Sequence, residues 1–278
     1  MIEIFVRTAE PFDFDRIEHW GPALKAEVSD LLPSDVAGII SAANPGFIED
    51  ARNELFKVVD RDVIIARVSS WIEVGPVAAY HGSRLNPEEI EAVRREGLKP
   101  LIAAPRVDRL RRVLSSHPDW PQKASQLDDI VRSLGPIDRW RQREGKVHLT
   151  VSLAGLTRSF NHYLTYGSEF DLMVAQHLLG TEGKTLLAAS GNATIFRLFV
   201  PGNIALAACN SYRWQNTGLP SLVREILEVW GYWLAHPNYR SESRELDCGM
   251  MFRETLPAGW IDSVIIVDDA ELSPERLG

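Results

Sequence analysis

Residues 76–98 read PVAAYHGSRLNPEEIEAVRREGL, and the hydrophobic period changes once along this stretch. Pro76-Val77-Ala78-Ala79-Tyr80 is a short, mostly apolar run with a strand-like composition. Asn86-Pro87-Glu88-Glu89 then supplies an N-cap, a proline at the first helical position and two acids in the first turn, while Gly97-Leu98 supplies a stop. A helix is therefore expected over 87–96. Between the two elements stands His81-Gly82-Ser83, where a strand ends and a cleft wall can form. A histidine there offers a ring nitrogen to a ligand hydroxyl, and a glycine lets a ligand approach the backbone. The plain structural alternative is a turn with a half-buried histidine.

Upstream, Ile17, Trp20, Leu24, Val28, Leu31 and Leu32 keep helical spacing until Pro33 and Pro45 interrupt it, which predicts two or three short helices across 12–58. The apolar run Val63-Ile64-Ile65-Ala66 reads as a strand. Residues 1–75 are expected to form an N-terminal helical lobe packed on a core domain of residues 76–278. Downstream, Val147, Leu149, Val151 and Leu153 alternate with polar residues, the period of a half-buried strand over 147–153. Ser168, three residues before Asp171, starts a helix. Further strands are expected at 193–200, 250–256 and 263–267, with a helix over 219–234. Helices and strands mix without the regular alternation of a doubly wound sheet, so the fold class expected is α+β.

The 278 residues carry 30 basic and 38 acidic side chains, a net charge of −8, with 45% hydrophobic residues. That composition is globular, and the acidic balance disfavours nonspecific binding to polyanions. Two cysteines exclude a disulfide framework and suggest buried thiols in a reducing compartment, with the cytoplasm as the expected location. The opening MIEIFVRTAEPFDFD has neither a basic n-region nor a continuous apolar stretch, so neither a signal peptide nor a membrane partner is expected. GTEGKT, residues 180–185, lacks the earlier glycine and the preceding strand of a phosphate-binding loop and reads as a solvated helix-to-strand turn. Of the seven histidines only His162 and His177 form even a weak spacing, so no metal is expected. Trp230 and Trp233 are expected to face the core, whereas Trp214 and Trp260 lie beside loops.

The order of elements carries more than any one of them. HGS is followed by a helix ending Glu96-Gly97-Leu98, a strand with Thr150 and Ser152, the tyrosines of HYLTYGSEF, and a strand leading into Leu256-Pro257-Ala258-Gly259-Trp260-Ile261. Over about 76–267 this resembles the ADP-ribosyltransferase superfamily in its diphtheria-toxin and poly(ADP-ribose) polymerase branch, whose signature is His, Tyr and Glu on successive core strands or their edges. The resemblance implies a split mixed and antiparallel sheet that grips NAD as co-substrate and breaks its bond to nicotinamide. It assigns His81 to a ribose hydroxyl, Gly82 to the nicotinamide carboxamide and Ser83 to an assisting place. Tyr166, or else Tyr163, stacks on the nicotinamide ring. The position the family gives to its acid falls on Gly249 here, with Glu245 and Asp247 just before it and Glu254 after it. Strand parity sets 245 with 249 and 254 on the other face, which ranks Glu245 first and Glu254 second.

Residues 94–146 hold 13 Lys or Arg and 7 Asp or Glu, among them Arg106, Arg109, Arg111, Arg112, Arg139, Arg141 and Arg143. Such a bias suits the NAD pyrophosphate or an acidic acceptor, and it equally suits exposed helix faces paired with nearby acids. The expected function is transfer of ADP-ribose to a protein or nucleic acid, with a toxin or defence role by analogy. Three other readings stand beside it: an NAD glycohydrolase, a non-catalytic NAD-binding or interaction module, and an RNA 2′-phosphotransferase, at which only His148 hints.

Overall fold

The computed structural model describes residues 10–133, 144–209, 221–244 and 248–272. The fold is mixed α/β, with a five-stranded sheet in the order β4-β2-β1-β3-β5, where β1 is Pro76–Leu85, β2 Val147–Thr150, β3 Asn192–Pro201, β4 Gly249–Phe252 and β5 Ile261–Val267. β3 and β5 run antiparallel, with Phe196 opposite Val264 and an irregularity between Arg197 and Leu198. Among the described residues no helix is long and apolar enough to cross a membrane.

The chain falls into two compact units. The first comprises 1–79, 150–155 and 199–250, so it joins the N-terminal helices to a segment that the sequence expectation assigned to the core domain. Its helices are α1 (Ile17–Glu27), α2 (Val36–Ala42), α3 (Ile48–Val58) and α4 (Arg61–Glu73), and its later segment adds a helix at Gly202–Cys209 and another at Ser221–Ala235. The last of these is apolar on most of its circumference. Leu222, Ile226, Val229 and Trp230 are all fully buried, and the Trp230 indole donates to the Gly21 carbonyl at 3.1 Å. Trp233 is partly buried, and its ring lies over Gly21.

The strand expected at 63–66 is instead part of α4. The Asp60 carboxylate accepts from the backbone N–H groups of Asp62 and Val63, both at 3.0 Å, which caps the helix just before the apolar run. Ile64, Val68 and Ile72, four apart, form its buried face. The strand expected over 147–153 ends early, at Thr150. Ser152 Oγ accepts from the Gly155 amide and donates to Asp15 Oδ1 at 2.8 Å, while Asp15 Oδ2 accepts from the Ala154 amide. These two side chains satisfy the first amides of a helix at Leu153–Arg158. Likewise the strand expected over 250–256 is only Gly249–Phe252.

The second unit comprises 80–149, 156–198 and 251–278. Helix α5 (Pro87–Glu96) has the predicted bounds and a complete capping box: Asn86 Oδ1 accepts from the Glu89 amide, and the Glu89 carboxylate accepts from the Asn86 amide. Gly97 closes it with φ 83°, and Leu98 then pairs with Leu256 in an antiparallel bridge. The EGL and LPAGW segments, far apart in sequence, are thereby joined. A basic helix follows at Ala103–Leu114, and Leu127–Ser133 packs beside it. A short helix at His162–Tyr166 and a long one at Glu169–Ala188 complete the unit. GTEGKT lies inside that long helix and not in a helix-to-strand turn. Gly180, with φ 59° and ψ −137°, kinks it, and the helix resumes.

Candidate functional site

β1 carries the predicted motif through the middle of the sheet, because the strand runs on past Tyr80 to Leu85. Strand alternation puts His81 and Ser83 on one face and Gly82 and Arg84 on the other. His81 is half-buried. Its Nδ1 lies 2.9 Å from the main-chain oxygen of His148 on β2, and its ring centroid is 6.5 Å from that of Phe196 on β3. A carbonyl only accepts, so Nδ1 carries the proton and Nε2 presents a lone pair. Nε2 makes no hydrogen bond to a described residue. Desolvation of the ring is the main cause that pushes its pKa below the ordinary 6.5. His81 is therefore neutral at pH 7.

That depression has a sign that stability reports. Just below pH 6.5 the unfolded chain protonates this histidine and the folded chain does not, so stability is full above that pH and declines as pH falls. The melting temperature is expected to drop between about pH 7.5 and about pH 5.5, and His81→Asn to make the drop shallower. An equally steep drop in the variant would show that His81 does not carry it.

Gly82 is closely packed by leucine methyl groups. A Cβ there would stand 2.8 Å from Leu156 and 3.0 Å from Leu164, so the helix at 162–166 lies directly on this residue. Both candidate tyrosines are on that helix. Tyr166 packs against the apolar cluster of Leu110, Phe170 and Val174, with Lys184 Nζ 5.8 Å from its ring centroid. Tyr163 stands beside His162, ring centroids 4.0 Å apart, and its hydroxyl donates to Glu169 Oε1 at 3.1 Å. His162 Nε2 is 3.6 Å from the same oxygen. Glu169 is a carboxylate that the sequence reading overlooked. Its link to Tyr163 depends on Gly167, whose φ of 88° turns the chain between the two helices.

Of the predicted acids, Glu254 is exposed in the bend after β4, a strand two places from β1, or roughly 10 Å at the usual interstrand spacing. Glu245 and Asp247 lie outside the described residues, as do Trp214, Arg139, Arg141 and Arg143. The structure thus groups His81, Gly82 and Ser83 on β1, sets the tyrosine helix against Gly82, and leaves Glu254 on a separate bend.

Beside the motif lies a charge network built on two buried arginines, Arg84 and Arg109. Arg84 donates to both oxygens of Asp269 at 2.8 Å and to the Leu164 carbonyl at 3.2 Å, and that grip holds the Asp269 carboxyl below its ordinary range. Arg109 is buried; it donates to Asp171 at 2.8 Å, to Glu89 at 3.2 Å and to the Arg84 carbonyl at 2.9 Å. Arg106 also pairs with Asp171. Much of the basic bias is therefore structural, Arg111 included, which pairs with Asp108 and Asp128.

Comparison with protein-family models, with curated proteins and with solved structures yields no match in any of the three.

Proposed function

We propose that the chain is a cytoplasmic ADP-ribosyltransferase of the His-Tyr-Glu type, using NAD as co-substrate on an ADP-ribosyltransferase-like core. The observation that carries this reading is His81: a neutral imidazole on the central strand, tethered through Nδ1 to the His148 carbonyl, with Nε2 left to a ligand and a glycine next in sequence. An acceptor nitrogen held in one orientation is what gripping a ribose hydroxyl requires. Tyr163, on the helix that lies against Gly82, donates to Glu169, and this pair gives the reading an aromatic ring and an acid in the same unit.

NAD supplies the scissile bond between ribose and nicotinamide. His81 orients the sugar, and a tyrosine ring stacks on the leaving group. A carboxylate hydrogen-bonded to a ribose hydroxyl stabilises the positive charge that develops as the bond breaks and its electron pair leaves with nicotinamide. The acceptor then forms the new bond to the ribose carbon and loses a proton. With water in that place the product is free ADP-ribose.

Purified protein is expected to release nicotinamide from NAD, and His81→Ala to lower the rate by about 10²-fold or more. Glu245→Gln, Glu254→Gln and Glu169→Gln, each checked for folding, identify the carboxylate, and labelling that depends on an added acceptor distinguishes transfer from hydrolysis. Absence of release together with absence of any thermal shift on adding NAD would end this reading. A thermal shift without release, lost in His81→Ala, would favour the non-catalytic binding module.

A further inference from the structure

At the end of β1 a cavity of about 370 Å³ opens between Asn86, Glu89 and the helix at 103–114, all within the second unit. That volume is within the range of small-molecule sites. Its floor is fixed. Arg109 is held there by Asp171, Glu89, the Arg84 carbonyl and Ser190, so its position is set before any ligand arrives.

The donors and acceptors on the wall do not balance. Glu89 is engaged at both oxygens, one accepting from the Asn86 amide at 3.0 Å and the other from Arg109 Nε at 3.2 Å. Asn86 uses its Oδ1 on the Glu89 amide, and its side-chain NH2 makes no hydrogen bond to a described residue. Arg112, with 65% of its side chain exposed, forms a long ion pair with Glu89 at 4.0 Å, and its guanidinium makes no hydrogen bond to a described residue. The cavity therefore presents an unspent guanidinium fork and an unspent amide NH2. On the cavity wall two arginines, Arg109 and Arg112, face the single carboxylate of Glu89, while Asp171 behind is shared by Arg109 and Arg106, so the wall keeps a positive excess. Val113, Leu186 and Ala189 add an apolar wall.

We infer that this cavity binds a small phosphomonoester of nucleotide size, with its phosphate on Arg112 and Asn86 and its organic body against Val113, Leu186 and Ala189. A guanidinium takes two phosphate oxygens in parallel, and the dianion has enough acceptors for the amide as well. The inference does not depend on NAD cleavage.

Equilibrium dialysis with adenosine 5′-monophosphate tests it in the full chain. Saturable binding is expected with a Kd below about 1 mM, with adenosine and inorganic phosphate each about tenfold weaker or more. Arg112→Gln should weaken binding of the monophosphate about tenfold or more without moving the melting temperature, since Arg112 is exposed, and Arg112→Lys should recover part of it. His81→Ala should leave this binding unchanged. The inference is overturned by absence of saturable binding up to about 5 mM, by adenosine or phosphate binding as tightly as the monophosphate, or by Arg112→Gln binding like the wild type. Loss of this binding in a folded His81→Ala would place the site elsewhere and overturn the assignment to this cavity.

Discussion

Asp171→Ala is expected to lower folding stability by about 3–5 kcal/mol, the cost of leaving a buried cation without its partner. Asp171 is completely buried and accepts from Arg109 at 2.8 Å and from Arg106. Arg109, only 3% exposed, would keep Glu89 alone among its acids. The substitution does not disturb the helix start, because Ser168 caps the backbone amide of residue 171 and that amide survives. Urea denaturation measures the effect as a lower midpoint at an unchanged slope. A loss below about 1 kcal/mol would mean that the guanidinium groups find water on relaxation and that the network is not closed.

Gly97→Ala is expected to cost about 3 kcal/mol or more, by a different cause. Gly97 adopts φ 83°, and a Cβ there would lie 2.0 Å from the Leu256 carbonyl oxygen, which is backbone. The obstacle is therefore not a side chain that can rotate away. Relief requires separating Leu98 from Leu256, whose two hydrogen bonds measure 3.1 and 2.9 Å. The expected result is a lowered melting temperature together with faster hydrogen exchange at the Leu98 and Leu256 amides. Gly145→Ala is the control: φ is 68° there, but nothing lies within 4 Å of the added carbon, so only the backbone preference, about 1–2 kcal/mol, is lost. Equal effects at the two positions would refute the steric account.

Local chemistry decided what the sequence could foretell. α5 was legible because its cap, its first-turn proline and its closing glycine all act within a dozen residues. β3 and β5 were legible from apolar runs with clear ends. The segment at 63–66 is ambiguous because four apolar residues suit either a strand or a helix turn, and only the wider spacing of Ile64, Val68 and Ile72 separates them. The end of β2 is not marked locally, because the group that ends it, Asp15, lies more than 130 residues earlier in the chain. Of the candidate site, His81, Gly82 and Ser83 stood out as a contiguous motif. The Tyr163–Glu169 contact did not, since it depends on a turn at Gly167. Nor did the network, where Arg84 meets an acid 185 residues away and no local pattern marks the pair.

The central place of β1 bears on how this protein can vary. Its residues 81–84 share one strand with buried neighbours on both faces, so a change at Gly82 or Arg84 alters the amount of folded protein along with whatever the motif binds. A selection scored on cellular output would confound the two. Arg112 and Glu254, exposed and off the central strand, are where recognition can drift while abundance stays constant. Variation in ligand preference is thus expected to collect at the periphery of the sheet, around a motif that folding itself holds in place.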